Sequence, residues 1–298
     1  MAGEAEQQLR AYVEYLRDLG VYDLYRRGEP DLPSVSASAS AETEQVVAAV
    51  EQVTSPRPVE SAAPRQTVSL PPSSTSEVPE SQIAKLVSFN QLAPLPEVRL
   101  AAADRPAALE AIREDIGDCT RCPLAYAGRR KIVFADGDPN ARLMFVGEGP
   151  GADEDTQGLP FVGKAGQLLN NMIGAMGLKR EQVYIANIVK CRPPANRVPE
   201  PVEANTCSQF LLRQIDVVQP EVIVALGSTA ATYLLGVKQS LAGLRGRWHS
   251  CRGAKLAVTY HPAFLLRDPR QKGEAWKDLQ MVMKYLGLTP PAKTPAES

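Results

Sequence analysis

Leu143-Met144-Phe145-Val146-Gly147-Glu148-Gly149-Pro150-Gly151 is the stretch whose reading decides the fold. Four consecutive apolar residues without polar alternation read as a strand buried on both faces, the pattern of a parallel sheet covered by helices on each side. The glycine-rich run that follows is a loop leaving the carboxyl end of that strand. Comparable apolar runs recur at residues 183–189, 222–226 and 256–260. Helical spacing fills the intervals. Leu168, Leu169, Met172, Ile173 and Met176 share a face over residues 164–176, and residues 229–235 read as another helix. This alternation predicts an α/β fold, a three-layer α/β/α arrangement around a central, mostly parallel four-stranded sheet. Ligands of such sheets bind beyond the carboxyl ends of the strands, so the residues that follow each strand carry the functional reading.

After the first strand, Gly147, Gly149 and Ala152 satisfy a loose G-x-G-x-x-A dinucleotide fingerprint. Two features oppose a pyrophosphate there. Gly158 and Pro160 leave no clean helix start ahead of them, and Asp153, Glu154 and Asp155 would place three negative charges beside it. Asn187 lies inside the second strand, where an amide is disfavoured unless it has partners. The third strand runs into Gly227-Ser228-Thr229, an anion-ready cap that also reads as a plain helix start. The fourth ends in Tyr260-His261-Pro262-Ala263-Phe264-Leu265-Leu266-Arg267, with His261 held at the strand end by the following proline. Together these loops offer glycines for close approach, an aromatic plate, a bidentate amide, a histidine and an apolar wedge. Those are the parts needed to extrude one nucleobase, stack it and read its edge.

Cysteine spacing adds a second expectation. Cys119 and Cys122 form a C-x2-C pair, whereas Cys191 and Cys207 stand with 15 residues between them. Four thiolates gathered across a fold bind zinc or an iron–sulfur cluster. Zinc ribbons usually repeat the tight knuckle in both halves, so the wide second half favours a [4Fe–4S] cluster over zinc or unconnected core thiols. Cys251 is left over as a plain thiol.

The chain is uneven in charge. Residues 1–100 carry 8 Lys/Arg against 14 Asp/Glu, and residues 101–288 carry 24 against 19. A mildly basic body permits contact with a phosphate backbone. No stretch approaches 18 apolar residues and the acidic, Gln-rich start does not read as a signal peptide, so no membrane contact and a cytoplasmic location are expected. Residues 1–26 read as a short amphipathic helix with Leu9, Tyr12, Val13, Leu16 and Leu19 on its stripe. Residues 27–104 read as a disordered Pro/Ser/Glu-rich linker, residues 105–288 as the folded domain, and residues 289–298 as a flexible tail. The helix is short enough to need a surface, and a partner protein is the expected surface for an otherwise monomeric chain.

Residues 107–288 resemble the family 4, thermostable-type uracil-DNA glycosylases, which carry an iron–sulfur cluster. The resemblance rests on residues 147–151, Pro160-Phe161-Val162-Gly163, the run from Asn187 through Lys190-Cys191-Arg192-Pro193-Pro194-Ala195-Asn196-Arg197, the four cysteines, and residues 261–267. It implies an enzyme that hydrolyses the N-glycosidic bond of uracil in single- or double-stranded DNA. Phe161 would stack on the flipped uracil, Asn187 would read O4 and N3–H, and His261 would bond O2 as charge develops there. Backbone N–H groups around Glu148 and Gly149 would help. Leu265 and Leu266 would be the wedge, Arg267 and Ser228 backbone contacts, and Cys119, Cys122, Cys191 and Cys207 the cluster ligands. The best-known uracil glycosylases place an aspartate where this chain has Gly149. Glu148 is therefore the nearest candidate to hold the attacking water, unless its carboxylate is spent on loop backbone. Glu154 and Asp155 are candidates for the bulk that excludes thymine. A related branch carries a His-bearing basic insert that traps DNA covalently; the loop after Asn187 here has no histidine, which implies turnover. The alternative is a non-catalytic DNA-binding or polymerase-associated module on the same scaffold.

Overall fold

The computed structural model describes residues 88–290. The expected amphipathic helix, residues 27–87 of the linker and most of the short tail therefore lie outside the described residues. The strands are β1 (Asp136–Gly137), β2 (Leu143–Gly147), β3 (Tyr184–Asn187), β4 (Val222–Leu226), β5 (His249–Cys251) and β6 (Ala254–Thr259). The helices are α1 (Phe89–Leu92), α2 (Arg105–Ile116), α3 (Ala152–Gln157), α4 (Lys164–Ala175), α5 (Pro201–Val218), α6 (Ser228–Leu235), α7 (Leu241–Leu244), α8 (Pro262–Arg267) and α9 (Lys272–Leu286).

One sheet runs in the order β1-β3-β2-β4-β6-β5. Its middle four strands, β3, β2, β4 and β6, are parallel and are the four expected from the apolar runs. The sheet is nevertheless six-stranded. β1 adds antiparallel to β3, and β5 adds antiparallel to β6. These edges are two and three residues long and partly polar, so they carry neither the length nor the apolar run that marks the others.

Alternation along each central strand divides the core into two layers. Leu143 and Phe145 of β2 point into the layer covered by α4 and α9, with Leu169, Ile173, Leu279 and Val282. Met144 and Val146 point to the other face, against Ile112 of α2, Phe210 of α5 and Leu234 of α6. Each fully buried side chain of this size contributes about 1.5–3 kcal/mol relative to exposure. The chain passes from β2 to β3 on one side and then crosses back to β4 on the other. That reversal opens a crevice at the carboxyl ends of these strands.

The folded body starts earlier than residue 105. Phe89 is buried at 1% exposure. The strap it belongs to is clasped by Arg252, whose guanidinium donates to the carbonyl oxygens of Phe89 (3.3 Å), Ala93 and Pro94 (2.9 Å). Asp216 holds the same guanidinium bidentately at 2.8 and 2.5 Å. Among the described residues no helix is long and apolar enough to cross a membrane.

Candidate active site

A cleft of about 740 Å³ opens at the carboxyl ends of the parallel strands. Gly147, the last residue of β2, lies opposite Asn187, the last residue of β3. A Cβ on Gly147 would stand 2.4 Å from Asn187 Oδ1 and 2.5 Å from Phe161 Cζ. Glycine is thus required here by close approach. It lets an amide and an aromatic ring meet over the end of a strand.

Asn187 is 2% exposed, and its Oδ1 finds no hydrogen-bond partner among the described residues. A buried acceptor left unpaired costs about 1–3 kcal/mol. The main-chain oxygen of the same residue is satisfied, accepting from Lys190 Nζ at 2.9 Å. Phe161 adopts φ +53°, unusual for a bulky residue.

His261 caps α8 and sits across from Phe161, with ring centroids 5.6 Å apart and planes tilted by 32°. Its Nδ1 accepts from the Ala263 N–H at 3.1 Å. That bond assigns the proton of the neutral ring to Nε2. Burial, assisted by the Arg267 charge, pushes the His261 pKa down to about 4. Near neutral pH this is an uncharged imidazole with a single N–H donor.

Glu148 lines the cleft half-buried, and among the described residues its carboxylate makes no hydrogen bond. The reading in which loop backbone uses up that carboxylate is therefore not what the structure contains. Its main-chain oxygen accepts from Val189 N at 3.2 Å, which fixes the loop beside β3. Gly149 packs so closely there that a Cβ would stand 2.7 Å from Val189 Cγ2. An aspartate at 149 would have to displace Val189.

Several expectations are corrected. A helix does start between Gly151 and Gly158: α3 spans Ala152–Gln157. The anion position is taken by the chain itself, because Glu154 Oε2 accepts from Gly151 N (3.1 Å). Its Oε1 accepts from Val162 N (2.9 Å) and Gly163 N (3.1 Å). Asp155 points away from the cleft and accepts from Arg130 N at 2.9 Å, which removes it as a thymine-excluding group. Leu265 is 1% exposed and belongs to the packing of α8, so it is no wedge. Leu266 is 43% exposed, and Phe264 lines the cleft stacked on Tyr260 at 5.1 Å. Ser228, in the first turn of α6, and Arg267 both lie on the cleft lining and are exposed, as does Lys164 at the start of α4.

The four cysteines singled out by spacing line one separate cavity, together with Arg129 and Lys190. Arg129 Nη1 donates to Cys191 Sγ at 3.3 Å, and Lys190 N donates to Cys207 Sγ at 3.3 Å. Burial pushes the Cys207 thiol up to about 12 and raises those of Cys122 and Cys191. Among the described residues no group of three or more His, Cys, Asp or Glu is arranged to hold a single metal ion. Cys251 is buried elsewhere, its thiol near Leu234 O. Lys190 connects the two sites, because its Nζ donates to Asn187 O and its main-chain N–H to Cys207 Sγ, while Gln214 Oε1 takes a second Nζ bond at 2.6 Å. Burial lowers its pKa to about 8. Nothing in the sequence marked this lysine as buried except its position directly before Cys191.

The sequence profile of the uracil DNA glycosylase superfamily matches residues 134–280. The type-4 uracil-DNA glycosylase of Thermotoga maritima is 46% identical over 162 residues, which cover 54% of this chain and 84% of that protein. The type-4 uracil-DNA glycosylase of Pyrobaculum aerophilum is 41% identical over 181 residues, 58% of this chain and 92% of that protein. That of Sulfurisphaera tokodaii is 40% identical over 191 residues, 61% and 86% respectively.

Proposed function

The chain belongs to the type-4 uracil-DNA glycosylases of the uracil-DNA glycosylase superfamily, and on that premise we propose that the cleft at the ends of β2, β3 and β6 receives a uracil flipped out of DNA. The protein is a DNA-repair enzyme that excises uracil from DNA. The observation that carries the assignment of this cleft is Asn187 Oδ1, buried without a partner beside Phe161 and within the same cleft as His261. A base bearing an N–H at that point satisfies it. Uracil does so through N3–H and takes the amide N–H₂ at O4, whereas cytosine meets the same amide with a bare N3 and an amine.

Breaking the N-glycosidic bond builds positive charge on the sugar and negative charge on the departing uracil. Phe161 stacks on the base and holds its plane. His261, neutral and protonated at Nε2, donates to O2 as that oxygen gains charge, at no cost of placing a second cation in the cleft. Catalysis leans on this leaving-group stabilisation because Gly149 supplies no carboxylate. Glu148, uncommitted to other hydrogen bonds, holds the attacking water. Leu266 takes the wedge position, with Arg267, Ser228 and Lys164 on the phosphate side. A non-catalytic binding module on this scaffold would not need Phe161, Asn187 and His261 together in one cleft.

Cys119, Cys122, Cys191 and Cys207 hold a [4Fe–4S] cluster in this reading. The residues fit such a group: four thiols line one cavity, and a guanidinium and a main-chain N–H already donate to two of the sulfurs. A cluster bound by them supplies folding energy, since it ties the segment after α2 to α5 and to the loop behind Asn187. The acidic N-terminal segment recruits a replication or repair protein, and the enzyme acts as a monomer on cytoplasmic, nucleoid-associated DNA.

The deciding assay is incubation with an oligonucleotide containing one uracil, followed by alkali. Strand cleavage at the uracil is expected. An intact strand, with retained DNA binding, would leave only the binding module.

A further inference from the structure

Phe161 holds a left-handed backbone conformation, φ +53°, that a phenylalanine does not adopt unaided. Two side chains grip the turn on either side of it. Glu154 accepts from the N–H groups of Val162 and Gly163. Arg180 takes the carbonyl groups, Nη2 donating to Pro160 O at 2.6 Å and Nη1 to Phe161 O at 3.2 Å. Arg180 lies in the short turn Arg180–Gln182 ahead of β3, well outside the cleft lining. Its own position is set from two directions. Nε donates to Asp136 Oδ2 on β1 at 2.7 Å, and Nη1 donates to Asn170 Oδ1 on α4 at 2.8 Å. The guanidinium is 18% exposed and the carboxylate 33%.

From behind, α4 closes on the same backbone. A Cβ on Gly166 would stand 1.9 Å from Phe161 O, so the helix axis touches the peptide that Arg180 holds. The Phe161 backbone is thus held on both sides of the residue whose ring lies against Gly147.

We infer that Arg180, anchored by Asp136, is a positioning residue that fixes the plane of the Phe161 ring and so the stacking of the flipped base. The inference rests on the reading that Phe161 stacks on uracil. It also assigns a use to β1. The two-residue edge strand carries the carboxylate that orients a guanidinium behind the active site, at a register set by pairing of Asp136 with Ile185. Lysine cannot replace Arg180, because one ammonium cannot present donors to two carbonyl groups and a carboxylate in one plane.

The test is a double-mutant cycle in the full-length, cofactor-loaded protein. Phe161→Ala, Arg180→Ala, Arg180→Lys and the double variant Phe161→Ala/Arg180→Ala are compared by single-turnover excision, by inhibition with free uracil, and by thermal unfolding. Arg180→Ala is expected to slow excision by about 10–100-fold, the scale of a small misplacement, and to weaken inhibition by uracil. Arg180→Lys should behave in the same way. In the Phe161→Ala background the second change should alter the rate by less than about 2-fold, since the ring it positions is gone. Full multiplication of the two losses overturns the inference, as does an Arg180→Ala enzyme with wild-type rate and uracil inhibition. If Phe161→Ala itself retains the wild-type rate and inhibition, the stacking role falls instead. Should Arg180→Ala fail to fold, Asp136→Asn, which keeps the guanidinium and frees its anchor, enters the same cycle. A loss that vanishes in the Phe161→Ala background then supports the positioning role, and a loss that multiplies with it overturns the role.

Discussion

Gly147 and Asn187 face each other in register at the ends of two parallel strands, with no room between them for a methyl group. Gly147→Ala is therefore expected to displace the Asn187 amide and the Phe161 ring together. Excision should fall by about 10²-fold or more, because a displacement of about 1 Å from productive geometry costs that much. Single-turnover kinetics on a uracil oligonucleotide, beside an unfolding curve, checks it. A fully active alanine variant would show that neither group needs its present position.

His261→Ala should lower excision by about 10²–10³-fold, the usual loss of one charge-stabilising donor, while duplex affinity changes little. Nitrogen NMR of the free enzyme should show the proton on Nε2 and no protonation of the ring until pH approaches 4. The linkage has a definite sign. Burial favours the neutral ring, so its contribution to stability is complete above the ordinary histidine value of about 6.5 and is lost as pH falls from there toward 4. A ring that titrates near 6.5 would remove the neutral-donor account.

Asn187→Asp should weaken uracil excision and admit some cytosine. A protonated carboxyl can donate to N3 of cytosine while its carbonyl accepts from the exocyclic amine. Oligonucleotides carrying one uracil or one cytosine measure both effects. Unchanged uracil activity with no cytosine activity would take the edge-reading role away from this residue.

Purified without exposure to air, the protein should be brown, with broad visible absorption. Cys191→Ser or Cys207→Ser should give colourless, aggregation-prone protein, since each loses a ligand and leaves buried polar surface behind. A colourless wild type holding one equivalent of zinc would refute the cluster.

Truncation separates the strap from what precedes it. Removing residues 1–86 should leave excision on short oligonucleotides unchanged. Removing residues 1–100 strips the core of Phe89, and Arg252 of three carbonyl partners. Loss of a buried phenylalanine alone costs about 3–5 kcal/mol, so the shorter protein should unfold at clearly lower temperature.

The four parallel strands were legible because burial on both faces writes itself as an unbroken apolar run, as at Leu143–Gly147 and Val222–Leu226. Edge strands of two and three residues leave no such trace. The run Phe264-Leu265-Leu266 shows a different limit. Three adjacent apolar residues say that one faces inward, but only the phase of α8 decides that it is Leu265. α3 was hidden by the glycines and prolines around it, and by acidic residues that look hostile to an anion site until Glu154 is seen to occupy it. Phe89 stood in a Ser/Pro-rich neighbourhood whose average composition outweighed one aromatic residue. Arg180 carried no signal at all, because its partners, the main-chain carbonyl groups of Pro160 and Phe161 and the side chains of Asp136 and Asn170, are brought together only by the fold.

The strap clasped by Arg252 sets an order on biosynthesis. Asn90 donates to Ser250 across 160 positions of sequence, and Arg252 itself is made later still. A ribosome that has released Phe89 must therefore translate nearly the whole catalytic body before that side chain has its pocket. Until then the segment around Phe89 waits unsheltered, and the folded body closes when the hairpin bearing Arg252 reaches it.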